Sequence, residues 1–255
     1  MKSRENNSRP ASRGRPEHSR PVLPDGSALI RPPTATRAAL WLGNVDGSPA
    51  VFKDYSRCST PMRLAGRFLL RRERAIYSRL AGIPGTPRCL GLVSRYCLAV
   101  ERIPGKDALQ FERGELPAEF FDRLDAVVEE LHRRGIVHCD LKHRQNIVVT
   151  PDHRPYIVDF ATALSPGSRW NFLRRWAFRI FVHDDRKALV KIRYYLGVGQ
   201  VSEAHWRLIS HHSGLERAAR RVREVVRELA HALIGYHGAG YVEQDVAPSR
   251  RKRPI

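Results

Sequence analysis

A short polar stretch covering residues 138–146 carries three side chains that could act together on a phosphate group. Asp140, Lys142 and Asn146 supply a carboxylate, an amine and a carboxamide, and a second carboxylate, Asp159, follows soon after. Phosphoryl transfer from a nucleotide to a hydroxyl requires an acidic group to orient the hydroxyl, a cation to offset phosphate charge, and oxygen ligands for Mg²⁺. These residue types predict that Asp140 meets the hydroxyl, Lys142 meets the γ-phosphate, and Asn146 and Asp159 hold the metal.

The surrounding sequence indicates how these side chains are positioned. Apolar residues at helical spacing predict a helix over 120–134, which Gly135 ends. Two short apolar runs, 147–149 and 156–158, are separated by turn-forming residues and predict a β-hairpin. The polar stretch therefore lies on a loop between the helix and the hairpin, and Asp159 stands where the second strand ends.

The pattern H-x-D-L-K, followed by an asparagine and then by D-F, resembles the catalytic loop and metal-binding turn of the protein-kinase-like superfamily. The resemblance implies an α+β fold of the compact two-lobed kinase-like type. Its N-lobe would be a small antiparallel sheet with one helix, and its C-lobe would be mostly helical. It further implies an enzyme that uses ATP with Mg²⁺ or Mn²⁺ and transfers the γ-phosphate to a hydroxyl.

Three features depart from typical protein kinases. Asn146 follows Asp140 by six positions where those enzymes have five, and Ala161 replaces the glycine of the D-F-G turn. The chain also has no A-P-E motif and no long activation segment after Ala163. This variation is similar to small bacterial kinase-like families, including the RIO-type kinases and the lipopolysaccharide core-sugar kinases.

The N-terminal half contains a lysine and a glutamate that fit the same resemblance. Lys53 ends the last of three predicted strands, where a kinase-like protein places the lysine that binds the α- and β-phosphates. Glu73 lies on a predicted helix over 62–81 and is the only acidic residue between Asp54 and Glu101. We expect Glu73 to pair with Lys53. The alternative is that Glu73 offsets the arginines of its own helix, at about 0.2–0.5 kcal/mol per pair.

Two further segments complete the predicted nucleotide site. The connection between the first two strands, residues 32–36, reads Pro-Pro-Thr-Ala-Thr and lacks a G-x-G-x-x-G pattern, so phosphate coverage must rest on threonine hydroxyls or a few backbone amides, or be weak. The segment 101–105 is expected to join the lobes. The resemblance implies that the backbone groups of Glu101 and Ile103 meet the adenine edge.

The length and the charge of the chain indicate its organisation and the kind of partner that it binds. Its 255 residues are enough for one two-lobed domain, which we divide into an arm (1–20), an N-lobe (21–101), a C-lobe (102–246) and a basic tail (247–255). The arm is rich in Arg, Ser, Asn and Pro and is predicted to be disordered. In the C-lobe, Asp184-Asp185-Arg186 is predicted to begin a helix over 187–196, and two further helices are predicted over 203–209 and 215–233. The net charge of +19 favours anionic partners, which include nucleotides and also nucleic acid or anionic lipid.

Other classes of protein are disfavoured. The four cysteines form no C-x-x-C pair and indicate reduced thiols in a cytoplasmic protein. No run of 18 apolar residues is present, and the N-terminus lacks the apolar core of a secretory signal. A zinc site is also disfavoured, because these histidines have no ligand spacing: His205, His211, His212, His231 and His237.

The function predicted from the sequence is therefore ATP-dependent phosphotransfer of the serine/threonine protein kinase type, with a hydroxyl-bearing protein as acceptor. One alternative is a lipopolysaccharide core-sugar kinase that acts on a glycolipid at the inner membrane surface. It is motivated by a basic aromatic helix over 170–181, which could lie in a membrane interface or pack on the C-lobe. A second alternative is a nucleotide-binding pseudokinase or a nucleic-acid-binding scaffold, favoured by the missing glycine pattern and the net charge.

Overall fold

The computed structural model describes residues 23–24, 26–34, 37–166 and 172–198, and only the backbone at 173 and 174. The predicted arm and tail, the five histidines considered for zinc, and the helices predicted over 203–209 and 215–233 lie outside the described residues. Within the described residues the chain forms two sheets and three α-helices.

The N-lobe is built on a five-stranded antiparallel sheet in the order β1-β2-β3-β5-β4. The hairpin of β2 and β3 turns at Asp46 and Gly47, which both have positive φ, as a two-residue turn between twisted strands requires. Lys53 pairs with Leu40 on one side and with Leu98 on the other, so it lies on a central strand. The strands are β1 (Ala28–Arg31), β2 (Ala39–Val45), β3 (Ser48–Asp54), β4 (Cys89–Ser94) and β5 (Cys97–Glu101).

A single long helix, α1 (Thr60–Leu80), packs against this sheet. Pro61 suits the first turn, where a backbone N–H would have no partner inside the helix. The buried face of α1 is apolar except for one carboxylate: it consists of Met62, Gly66, Leu70, Glu73, Ile76, Tyr77 and Leu80. Glu73 therefore points into the lobe, whereas most of the helix's arginines do not.

The C-lobe begins after a short connection that runs close to a C-lobe strand. Gly105 in this connection has φ of 153°, and a Cβ there would lie 2.2 Å from the carbonyl oxygen of Val149. The lobe contains α2 (Ala118–Arg133) and a three-stranded sheet of β6 (Lys106–Asp107), β7 (Ile147–Val149) and β8 (Pro155–Ile157). The predicted helix and hairpin that flank residues 138–146, the predicted catalytic loop (called the catalytic loop below), are both present. Their core is apolar and fully buried: Phe120, Leu124, Leu131, Ile147, Ile157 and Phe160.

The last described helix corrects the prediction of separate helices at 170–181 and 187–196. The structure has one continuous helix, α3 (Phe172–Leu196), which contains neither glycine nor proline to break it. The sequence Asp184-Asp185 resembles a helix start because acidic residues suit an N-terminus. Asp185 instead lies inside the helix and is fully buried. Across the described residues, no helix combines the length and the apolar character needed to cross a membrane.

Candidate functional site

The site is centred on Lys53, whose ammonium nitrogen contacts two carboxylates from distant parts of the chain. Its Nζ lies 2.6 Å from Oε1 of Glu73 on α1 and 2.6 Å from Oδ1 of Asp159, which follows β8. The partners are separated from Lys53 by 20 and 106 positions. The predicted pairing of Lys53 with Glu73 is thus present, and the end of the hairpin converges on the same nitrogen.

The three groups differ in how far they reach toward solvent. The side chains of Lys53 and Glu73 are 12% and 2% exposed, whereas that of Asp159 is 43% exposed. Burial and the neighbouring Asp159 raise the pKa of Glu73, although Lys53 opposes the rise. Burial would also raise the pKa of Asp159, but the Lys53 ammonium outweighs it and lowers that pKa to about 2. Asp159 is therefore a charged carboxylate at the solvent side of a buried ion pair.

Asp159 also has an uncommon backbone conformation. Its φ of 65° and ψ of 73° lie in the left-handed region, which costs a residue with a Cβ about 1–2 kcal/mol. Its Oδ1 accepts a hydrogen bond from the backbone N–H of Ala161 at 3.3 Å, which helps to hold the turn. Cys139, immediately before Asp140, has a φ of 69°. Among the described residues, two of the four non-glycine positions with positive φ therefore present the predicted catalytic and metal-binding aspartates, and the other two, Asp46 and His153, lie in hairpin turns.

The backbone of the catalytic loop is held by a buried carboxylate that the sequence reasoning missed. Asp185 on α3 accepts hydrogen bonds from the backbone N–H groups of His138 at 2.8 Å and Cys139 at 3.0 Å, and its Oδ2 lies 3.1 Å from Nε2 of His132. One signal could have found it. Asp185 shares the helical spacing of the buried face of α3, with Leu189, Ile192 and Leu196. A carboxylate on an apolar helix face needs buried donors.

Edge contacts between aromatic rings join the catalytic loop to α1. The Phe160 ring, directly after Asp159, makes edge contacts with His138 at 5.1 Å and with Tyr77 at 5.2 Å between centroids. Nε2 of His138 lies 3.0 Å from the carbonyl oxygen of Val158, and Thr162 Oγ1 donates to the His138 carbonyl at 3.0 Å. The first residue of the loop is therefore tied to both flanks of Asp159.

Asp140 and Asn146 are in direct contact within the loop. Nδ2 of Asn146 donates to the Asp140 carbonyl at 2.9 Å and to its Oδ2 at 3.2 Å, so the additional residue in the loop still leaves the two side chains together. Oδ1 of Asp140 lies 3.4 Å from Nε2 of His143. The Asp140 side chain is 30% exposed and could reach an acceptor hydroxyl. Lys142 is exposed on the same loop and forms no ion pair within the described residues.

The predicted nucleotide-binding segments are only partly described. Pro32 and Thr34 in the connection between β1 and β2 are exposed. The N–H of Thr34 donates to the carbonyl oxygen of Arg37 at 3.1 Å. In the interlobe connection, the Glu101 N–H donates to the Arg88 carbonyl at 2.8 Å. Recognition of adenine by the backbone of Glu101 and Ile103 stays a prediction.

The donor set suits magnesium held together with a nucleotide. Asp159 and Asn146 offer a carboxylate and a carboxamide oxygen, which are hard ligands, and residues 146 and 158 are joined by a backbone hydrogen bond of 2.9 Å. The described residues contain no cluster of three His, Cys, Asp or Glu side chains that could hold a metal alone. Mg²⁺ commonly binds through one or two protein ligands with phosphates and water completing its shell, so this pair fits it.

Comparison with known proteins identifies the fold. No protein-family model and no curated protein matches the sequence. Among solved structures, the Rio2 kinase from Chaetomium thermophilum is similar with a TM-score of 0.51 and 16% identity, covering 78% of this chain and 71% of that chain. A Rio2 kinase–ADP/Mg²⁺–phosphoaspartate complex from the same organism gives a TM-score of 0.48 and 15% identity, with 82% and 69% covered. The chain therefore has the protein-kinase-like α+β fold that its sequence predicts.

Proposed function

We propose that this chain is an ATP-dependent phosphotransferase that moves the γ-phosphate to a hydroxyl, most similar in type to serine/threonine protein kinases. The contact of Lys53 with both Glu73 and Asp159 carries the proposal. A structural ion pair needs only one carboxylate per lysine. Here a second, solvent-facing carboxylate is held against the same cation, which suits a site where phosphate and metal charges must be balanced.

The proposed reaction assigns a task to each side chain. Lys53, fixed by Glu73, binds the α- and β-phosphates, while Asp140 accepts a hydrogen bond from the acceptor hydroxyl and orients its oxygen toward the γ-phosphorus. Lys142 offsets charge on the transferred group. Catalysis of this kind is mostly placement and charge neutralisation.

Asn146 and Asp159 would hold Mg²⁺ or Mn²⁺. The metal, when bound, neutralises charge on the phosphate oxygens of the nucleotide. The protein's part is to keep Asp159 ionised and correctly placed. Its low pKa, its fixed turn and its exposed carboxylate serve that purpose.

The test is transfer of labelled phosphate from ATP in the presence of Mg²⁺ or Mn²⁺, with generic protein acceptors and with cell-envelope extract. We expect label to appear in an acceptor with the unaltered chain and to be lost with Lys53→Met or Asp159→Ala. Lys191→Met, an exposed lysine on α3, is the matched control and should retain transfer. Absence of transfer from the unaltered chain, together with salt-sensitive RNA binding, would instead favour the scaffold alternative.

One observation keeps a glycolipid acceptor as a second candidate. In the N-terminal part of α3, Phe172 is 75% exposed to solvent and Trp176 is 43% exposed. Arg175 and Arg179 on the same segment are also exposed. Aromatic and basic residues on one exposed segment suit contact with anionic headgroups.

The proposal locates the protein in the cytoplasm, with peripheral contact at the inner membrane if the acceptor is a glycolipid. Sedimentation with anionic vesicles and label in the lipid fraction would support this candidate, whereas label in protein alone would oppose it.

A further inference from the structure

One arginine of α1 contacts the backbone that follows Asp159. Arg72, the residue before Glu73, donates from Nη1 to the carbonyl oxygen of Ala161 at 2.9 Å and from Nη2 to the carbonyl oxygen of Ala163. These partners lie 89 and 91 positions away. The guanidinium fork therefore joins the N-lobe helix to the turn that carries the predicted metal ligand.

The two carbonyls need such a partner. They lie at the end of a single turn of 3₁₀ helix, Phe160–Thr162, whose last carbonyls have no partner inside the helix. Ala163 is fully buried, so its backbone oxygen cannot rely on bulk water. A planar guanidinium can donate to both oxygens at once, and its positive charge suits the C-terminal end of a helical turn.

The same turn fixes the direction of Asp159. The backbone strain at Asp159 persists only if its surroundings restrain the turn. One restraint comes from within, since Asp159 accepts the Ala161 N–H. Arg72 supplies a second restraint from the opposite side through the carbonyl of the same alanine. Loss of the fork would leave the carboxylate with a wider range of positions relative to Lys53.

We propose that Arg72 is a positioning residue, which holds the turn after Asp159 against α1 so that Asp159 and the Lys53–Glu73 pair are aligned before nucleotide binds. The inference deepens the proposed phosphotransfer and rests on it for its effect on catalysis. Its structural part, the order of residues 159–164, does not depend on whether the chain transfers phosphate.

A second arginine contact separates the effect on the turn from an effect on the helix. At the C-terminal end of α1, Arg79 Nη2 donates to the carbonyl of Arg134 at 2.6 Å, and Arg134 Nη1 donates back to the carbonyls of Arg79 at 3.0 Å and Ala81 at 2.9 Å. This contact fastens α1 to the end of α2 without involving Arg72. Removing Arg72 should therefore loosen the turn and leave α1 in place.

Hydrogen exchange followed by mass spectrometry tests the structural part. In Arg72→Met, we expect peptides covering 159–164 to exchange about tenfold faster or more, the value for one lost charge-assisted hydrogen bond, while peptides of α1 stay unchanged. Arg71→Met, an exposed neighbour on the same helix, is the control and should match the unaltered chain. Arg72→Lys retains the charge but not the fork, so its exchange should be intermediate. The Arg72→Lys variant also keeps the test possible if Arg72→Met does not fold.

Steady-state kinetics test the catalytic part. Misplacement of one catalytic group can reduce turnover by about 100-fold, so we expect kcat to fall about 10- to 100-fold in Arg72→Met and the Mg²⁺ concentration for half-maximal rate to rise. Unchanged exchange at 159–164 in both Arg72 variants would overturn the inference, as would faster exchange across the whole chain in both. Faster exchange of the turn in a chain that never transfers phosphate would uphold the role of Arg72 in ordering the turn and refute the proposed function instead.

Discussion

The catalytic loop and the connection between β1 and β2 are predicted to contact the nucleotide from opposite lobes, and their described residues are supported very differently. The catalytic loop is held by a buried carboxylate, Asp185, and by the contacts of His138 with the hairpin and with Thr162. In the described part of the other segment, Thr34 is exposed and bonded to Arg37, close by in sequence. The predicted metal side of the site is thus held by buried contacts, whereas Thr34 in the predicted phosphate cover is exposed. This predicts that the first segment determines turnover and the second affects mainly nucleotide affinity.

The largest effect should follow from the catalytic loop itself. We expect Asp140→Ala to reduce kcat by about 10²- to 10⁴-fold, because the acceptor hydroxyl loses the group that orients it and accepts its hydrogen bond. The measurement is single-turnover transfer from labelled ATP. Asp152→Ala is a suitable control, since Asp152 is 57% exposed in the turn between β7 and β8. If Asp140→Ala retained more than half of the rate, the catalytic loop would not take part in the chemical step, and the predicted difference between the two segments would be wrong.

Removal of the support beneath the loop should cost stability. In Asp185→Ala, the buried N–H of His138 and the half-buried N–H of Cys139 lose their acceptor, and a buried group left without a partner costs about 1–3 kcal/mol. We expect the free energy of unfolding, measured by urea denaturation, to fall by about 3 kcal/mol or more. Asp185→Asn retains one acceptor oxygen and should lose less. Asp122→Ala removes a carboxylate that is 70% exposed and should change stability by no more than about 0.5 kcal/mol. Equal losses for the Asp122 and Asp185 alanine variants would contradict the anchoring role.

Hydrogen exchange can compare the two segments directly. The amides of His138 and Cys139 are bonded to a buried carboxylate and should exchange slowly, whereas the amide of Thr34 donates to the nearby Arg37 carbonyl in an exposed segment and should exchange faster than they do. Addition of a non-hydrolysable ATP analogue with Mg²⁺ should slow exchange of the Thr34 amide and leave exchange at residues 138–139 unchanged. If the analogue slowed exchange at 138–139 instead, the catalytic loop would not be prearranged.

The sequence was sufficient where the chemistry is local in the chain. The catalytic loop, its flanking helix and its hairpin follow one another without interruption, so motif and periodicity together predicted them. Glu73 was identified because it is the lone carboxylate of an arginine-rich helix and matches the glutamate that pairs with the lysine in kinase-like proteins, and the structure pairs it with Lys53.

The remainder depended on contacts between distant segments. Asp185 and Arg72 are ordinary charged residues within helices, and their tasks become visible only when α3 and α1 are packed against the catalytic loop and the turn after Asp159. The prediction of two helices at 170–181 and 187–196 was wrong for the same reason. Asp184 and Asp185 have the residue type of a helix start. The helical spacing of Asp185 with Leu189 indicates a buried position, but it does not indicate which N–H groups Asp185 binds.

The smallest effect is expected in the connection between β1 and β2. Thr34→Ala removes a hydroxyl that could reach a phosphate, and one neutral hydrogen bond contributes about 0.5–1.5 kcal/mol. We therefore expect the KM for ATP to rise about two- to fivefold with kcat unchanged, since an interaction made equally in the ground state and transition state affects KM alone. Thr60→Ala, an exposed threonine in the first turn of α1, should leave both constants unchanged. A fall in kcat of Thr34→Ala comparable to that of Asp140→Ala would mean that the connection between β1 and β2 takes part in the chemical step. Thr34 would then be as firmly positioned in the nucleotide complex as the catalytic loop is in the absence of nucleotide.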